Sequence, residues 1–210
     1  MKEGICYIVG AGECNRLLLH PQNDDMVIAV DGGYEPLKEQ RIDLVVGDFD
    51  SLSYVPTHPN VIQLPPEKDD TDMMIAIKEG LQAGYRCFQI YGGTGGRLSH
   101  TVANFQCLAY LLEKGARGYL IDAREVTTMI HNDSMEFPAT YKGYLSVFSY
   151  EKEAKGVTIK GLKYPLDNAV LTSRVPLGVS NEFISGVPSC VSVKEGTLLL
   201  IYENQESLSF

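Results

Sequence analysis

The chain has 210 residues, 44% hydrophobic and 21% charged, which is enough apolar material for one large domain or two small ones with real cores. Its 18 basic and 27 acidic side chains leave a net charge of −9, which argues against nucleic acid and anionic membrane as partners because both reward Lys and Arg surfaces. No apolar run approaches the roughly 20 residues of a membrane span, and the first residues carry no signal-peptide core, so the expected location is the cytoplasm. Cys6, Cys14, Cys87, Cys107 and Cys190 form no C-x-x-C pair and read as reduced thiols. His20, His58, His100 and His131 are too scattered for a zinc site.

Along the first part of the chain, short apolar runs at 5–9, 27–30, 44–46, 61–64, 88–91 and 119–121, each flanked by Gly, Pro or Asp, predict buried strands. Met73, Ile77 and Leu81 recur every four residues and predict a helix with Thr71 as N-cap and Gly84 as stop. Val102, Phe105, Ala109 and Leu112 mark one face of a second helix running from Ser99 to Gly115. Strand–helix alternation of this kind implies an α/β domain built on a mostly parallel sheet.

Beyond residue 125 the runs at 126–130, 144–150, 157–159, 169–171, 182–184, 190–193 and 197–202 are short and β-rich, separated by Gly, Pro, Asn or Ser turns. That spacing predicts a smaller all-β sandwich or barrel. The expected organisation is therefore two abutting domains, 1–124 and 125–210.

The acidity is local. Residues 43–72 hold seven acids, Asp43, Asp48, Asp50, Glu67, Asp69, Asp70 and Asp72, against the single base Lys68. In Gly47-Asp48-Phe49-Asp50-Ser51, two Asp at i and i+2 follow an apolar strand, and in extended geometry they would share one face and hold a divalent cation. In Glu67-Lys68-Asp69-Asp70-Thr71-Asp72, a carboxylate in the first helical turn suits the macrodipole, which accounts for Asp72 but not for its crowded neighbours. Gly92-Gly93-Thr94-Gly95-Gly96-Arg97 exposes backbone N–H groups ahead of a helix and ends in a guanidinium fork, an arrangement suited to phosphate. Gly10-Ala11-Gly12 and Asp31-Gly32-Gly33 close two further strands.

If Asp31, Asp48, Asp50 and Asp72 converge, a positive charge must lie among them, because two like charges ~4 Å apart cost about 4 kcal/mol at an effective dielectric of ~20. Mg²⁺ chelated by phosphates fits that requirement.

These motifs, in this order, resemble the thiamin pyrophosphokinases, specifically the short bacterial type. The resemblance rests on Ala29-Val30-Asp31-Gly32-Gly33, on the three motifs just quoted, and on Gly161-Leu162-Lys163-Tyr164-Pro165-Leu166 and Gly178-Val179-Ser180-Asn181-Glu182-Phe183 in the β-rich half. It implies transfer of the diphosphate of ATP to the hydroxyl of thiamin, giving thiamin diphosphate and AMP. It further implies Mg·ATP in the first domain, a thiamin-binding sandwich in the second, and a homodimer. By the same resemblance, Asp48, Asp50 and Asp72 surround Mg²⁺ with Asp31 nearby, and Ser180 and Asn181 contact the vitamin.

Gly10, Gly12, Asp31, Gly32, Asp69, Thr71 and the Gly92–Arg97 loop are the candidate nucleotide contacts. Lys68 and Arg97 are expected to supply positive charge, and Asp72 to accept the hydroxyl proton, or Asp50 if Asp72 is committed to metal. The chain has no Trp, which some relatives place near thiamin. Two rival readings are a non-catalytic nucleotide or vitamin sensor and a haloacid-dehalogenase-like phosphatase. The latter is disfavoured by Leu52 where its motif needs Thr or Val.

Overall fold

Six apolar runs of the first half become strands: β1 (Ile5–Val9), β2 (Met26–Val30), β3 (Leu44–Gly47), β4 (Val61–Gln63), β5 (Cys87–Tyr91) and β6 (Arg117–Ile121). They pair in the order β6-β5-β1-β2-β3-β4, every pair parallel. Sequences such as MVIAV in β2 are buried almost throughout, as expected of parallel strands. Helices α1 (Asp72–Gln82) and α2 (Leu98–Glu113) fill two of the connections, α1 packing on β1, β2 and β3 and α2 on β6. Thr71 caps α1 by accepting the Met74 N–H at 3.2 Å. The structure, a computed structural model, describes residues 2–12 and 19–205, so Cys14 lies outside the described residues. Cys6, Cys87, Cys107 and Cys190 are free thiols.

Contacts divide the chain into residues 1–122 and 123–210. The second unit is antiparallel throughout: β7 (Glu125–His131), β8 (Ser134–Phe137), β9 (Tyr144–Ser149), β10 (Glu153–Lys160), β11 (Leu166–Thr172), β12 (Gly178–Glu182), β13 (Ser189–Ser192) and β14 (Thr197–Glu203). Within it the pairing orders are β12-β9-β14-β7 and β11-β10-β13-β8. Alternation of buried and open positions along β9 marks a sheet with one face inward. Phe137 of β8 meets Tyr202 of β14 edge-on at 5.2 Å between ring centroids, with Tyr141 and Phe183 completing an aromatic cluster. The fold as a whole is mixed α/β.

Local expectations change in five places. The buried face of α2 is Asn104, Cys107, Leu108 and Leu111, and Val102 is half exposed. The reason lies on β6, where Gly118 has no side chain: a Cβ there would stand 2.6 Å from Leu111 and 2.8 Å from Leu108. On α1, Met73 and Ile77 are buried as expected, but Ala76 and Gly80 join them in place of Leu81. The strand expected at 182–184 begins earlier, at Gly178, with Ser180 in a left-handed conformation (φ 56°) that shifts the register against β9. Neither β8 nor the 3₁₀ helix Asp31–Leu37 was expected, the Asp31-Gly32-Gly33 segment being read only as the close of a strand.

Candidate active site

Strand order reverses between β1 and β5: the chain runs outward through β2, β3 and β4, then returns to the other side of β1. In open parallel sheets the carboxyl ends of strands at such a reversal leave a crevice for ligand. Here the two loops leaving β1 and β5 are joined directly, Gly10 N–H donating to Tyr91 O at 2.8 Å and Gly12 N–H to Gly92 O at 2.8 Å. A Cβ on Gly12 or Gly92 would collide with the backbone of the opposite loop, and Gly92 is also left-handed (φ 61°). Buried Asn104 of α2 donates to Gly93 O at 2.7 Å, and Thr94 Oγ1 donates to Asp122 Oδ2 at 3.0 Å, so the second loop is held from two sides.

A cavity of about 300 Å³ opens at this point. Of the residues singled out in the sequence, Gly10, Gly12, Asp31, Asp50, Thr71, Asp72, Gly92, Gly93, Thr94, Gly96 and Arg97 line it. Ser51, Met73, His100, Thr101 and Asn104 line it too and were not anticipated. His100, Thr101 and Asn104 follow the Gly-rich loop at one-turn spacing on α2, and that spacing was the available signal. Gly32, Asp48, Lys68, Asp69 and Gly95 are not among the walls. Gly32 packs against Ala11, while Asp69 and Gly95 are exposed.

The acidic residues meet in a different set from the one the spacing suggested. Asp31, Asp48 and Asp72 each offer an oxygen within 4.8 Å of the other two. Phe49 is the cause. It is buried in the core with Val9, Val27, Ala29, Leu37 and Val45, and takes a left-handed φ of 62° to get there. Asp48 and Asp50 therefore do not share an extended face. Asp50 turns to the exposed rim, and its N–H donates to Asp48 Oδ1 at 3.2 Å. Asp31, itself left-handed at φ 47°, fills the third corner; its Oδ1 accepts the Phe49 N–H at 3.3 Å. Its carboxylate lies where any side chain on Gly47 would collide with it.

Lys68 joins this group, its Nζ 3.1 Å from Asp48 Oδ2 and 2.8 Å from Asp72 Oδ1. The contact to Asp72 Oδ1, a buried oxygen, is an ion pair without hydrogen-bond geometry. Burial, then the negative charge of Asp72, pushes the Asp31 carboxyl up to about 7, and the closeness of the Asp72 carboxyl adds to the rise while the Phe49 N–H opposes it. The Asp50 N–H, with Lys68 assisting, holds Asp48 below the usual carboxylate range. Partial burial pulls Lys68 down, but its contacts with Asp72 and Asp48 outweigh that and keep it above the usual lysine value. Three hard oxygen donors, one of them buried without a hydrogen bond, fit Mg²⁺.

In the second unit Asn181 is only 3% exposed, and its amide is engaged by the backbone. Oδ1 accepts the N–H groups of Tyr164 and Glu182, each at 2.9 Å, and Nδ2 donates to Tyr164 O at 2.7 Å. Ser180 is exposed, and its N–H donates to Ser146 Oγ at 3.0 Å. Asn181 thus fixes the loop that displays Tyr164 and has little left to offer a ligand.

A parallel α/β unit with an acidic, glycine-walled cavity at its strand reversal belongs to the class of open α/β folds that bind ligands at such a crevice. Residues 19–120 match the family model "Thiamin pyrophosphokinase, catalytic domain", and residues 128–198 match "Thiamin pyrophosphokinase, vitamin B1 binding domain". The thiamine pyrophosphokinase of Bacillus subtilis (strain 168) is 30% identical over 183 residues, 83% of this chain and 85% of that one. The crystal structure of thiamine pyrophosphokinase from Bacillus subtilis superposes with a TM-score of 0.83 at 26% identity, covering 95% of this chain and 99% of its own. That of thiamin pyrophosphokinase from Geobacillus thermodenitrificans gives 0.79 at 30% identity, covering 95% and 97%. The chain belongs to the thiamin pyrophosphokinase family.

Proposed function

We propose that this protein transfers the terminal diphosphate of ATP to the primary hydroxyl of thiamin, giving thiamin diphosphate and AMP. The observation that carries the reading is the meeting, at one strand reversal, of two backbone-walled loops with the Asp31–Asp48–Asp72 trio, in a chain of this family. The 1–124 domain is the Mg·ATP-binding catalytic domain. The 125–210 domain is the β-sandwich that binds thiamin and forms a homodimer. Gly10, Gly12, Gly92, Gly93 and Thr94 offer backbone to phosphate, and Arg97, exposed at the start of α2, offers its fork. Asp69, exposed at the helix entry, and Gly32 stand behind these contacts.

Asp31, Asp48 and Asp72 hold Mg²⁺, with Asp50 at the rim in place of the inner position its spacing suggested. Bound Mg²⁺ supplies positive charge to the phosphate oxygens. Asp72, or Asp50 beside it, takes the hydroxyl proton as the oxygen bonds to the β-phosphorus and the bond from that phosphorus to the α–β bridging oxygen breaks. Ser180 contacts thiamin, and Asn181 positions Tyr164. No helix among the described residues is long and apolar enough to cross a membrane.

The test is incubation with ATP, Mg²⁺ and thiamin. Equal amounts of AMP and thiamin diphosphate are expected. Release of orthophosphate would point to the phosphatase reading, and bound but unchanged ATP to the sensor reading.

A further inference from the structure

We propose that Lys68 is a tethered counter-ion that competes with a divalent cation for Asp48 and Asp72, so that metal enters the site together with nucleotide rather than ahead of it. The inference rests on the reading of the site given above. Lys68 Nζ lies 3.1 Å from Asp48 Oδ2 and 2.8 Å from Asp72 Oδ1, and donates to Pro65 O at 3.3 Å. Its side chain is only 13% exposed, so this is an enclosed pairing and not a surface contact.

The other oxygen of Asp48 already accepts the Asp50 N–H, and Asp31 Oδ1 accepts that of Phe49. A cation drawn to Asp48 and Asp72 therefore meets the ammonium on the oxygens it needs. Like charges at contact distance repel strongly in a partly enclosed site, so the two cannot be held there together.

The tether decides which one wins. Lys68 stands four residues before Asp72 at the entry to α1, so its ammonium is presented at an effective concentration of order millimolar or higher, whereas a metal ion must come from solution. Its flexible four-carbon stem can leave by side-chain rotation alone. Phosphate oxygens arriving in the adjoining cavity offer that ammonium an equivalent charged partner. Nucleotide then vacates the carboxylates for the cation that accompanies it. Lys68 thereby positions the metal ligands as well as lending charge.

The experiment titrates Mn²⁺ alone, by calorimetry or electron paramagnetic resonance, into the full chain and into Lys68→Gln and Lys68→Arg. Lys68→Gln is expected to bind Mn²⁺ about tenfold more tightly or better, and Lys68→Arg to resemble the wild type because the charge remains. Affinity in Lys68→Gln equal to or weaker than wild type overturns the inference. Should Lys68→Gln fail to fold, amine acylation of the wild type read by mass spectrometry decides. Labelling at Lys68 rises on saturation with Mn²⁺ if the ammonium is displaced, and unchanged labelling sinks the idea. Loss of Mn²⁺·ATP binding in the wild type would count against the proposed function itself. Intact Mn²⁺·ATP binding with no gain in Lys68→Gln counts against the competition alone.

Discussion

Asp31 carries an ionisation that only its surroundings explain. Its carboxyl is pushed up to about 7 by burial and by Asp72, whereas in an unfolded chain it titrates near 3.9. Between those values the folded chain keeps a proton that the unfolded chain has released, so the stabilisation is complete below about pH 4 and is lost as pH rises through 7. With divalent metal removed by chelator, the urea midpoint is expected to fall from pH 5 to pH 8, and Asp31→Asn to flatten that fall. A wild-type midpoint that does not decline over this range rules out the burial of Asp31 described above.

Asp72 gives a second prediction. Asp72→Asn should cut turnover by about 10²–10⁴-fold with unchanged circular dichroism, and near-normal turnover eliminates it as proton acceptor. Asp72 was legible in the sequence because it opens a periodic helix behind a Thr cap. Asp31 was legible as a neighbour of the metal ligands but not as an inner corner in place of Asp50, because that exchange depends on two left-handed residues and on the bare Cα of Gly47, which no period in the chain reports.

Among the elements, α2 shows how a pattern can be right about existence and wrong about facing. Its bounds emerge within a residue or two of the expected ones, yet the face turned inward is set by Gly118 on β6 and by Gly93 across the cavity. Both lie outside the helix's own sequence. Buried Asn104 spans helix and loop, and its loss leaves Gly93 O without that donor. Asn104→Ala is expected to cost about 1–3 kcal/mol of stability and to raise the KM for ATP more than it lowers kcat. Denaturant melts together with steady-state kinetics check both, and a kcat loss with unchanged KM would argue against a loop-holding role. The strand β12 was misplaced for a related reason: its polar GVSNE sequence looks like a turn, and only pairing with β9 makes it a strand.

Across the molecule, the alternation of strands and helices made the parallel α/β half legible, and the clustering of short runs did the same for the β-rich half. The reversal between β1 and β5 could not be read, since strand order is a property of long-range pairing and not of local composition. Yet that reversal is what brings residues 10–12 against residues 92–94. The net charge of −9 likewise acquires a location: Asp50 and Asp72 of the acidic stretch line one cavity with their neighbour Asp31, and Asp48 meets Asp31 and Asp72 beside it. Mg²⁺ and ATP together should raise the thermal midpoint well beyond either alone, since ligand held at about 100 times its Kd adds about 2.7 kcal/mol. Scanning calorimetry checks this, and equal shifts with ATP alone would remove the metal from the binding event.

The backbone clasp between Gly12 and Gly92 bears on attempts to redesign the enzyme. The glycines through which the two loops meet main chain to main chain leave no side chain to vary, and neither Gly12 nor Gly92 admits even a methyl group without moving its partner. For the nucleotide site proposed above, a library aimed at a different nucleotide should therefore leave residues 10–12 and 92–93 untouched and diversify His100 and Thr101, which line the same cavity from α2.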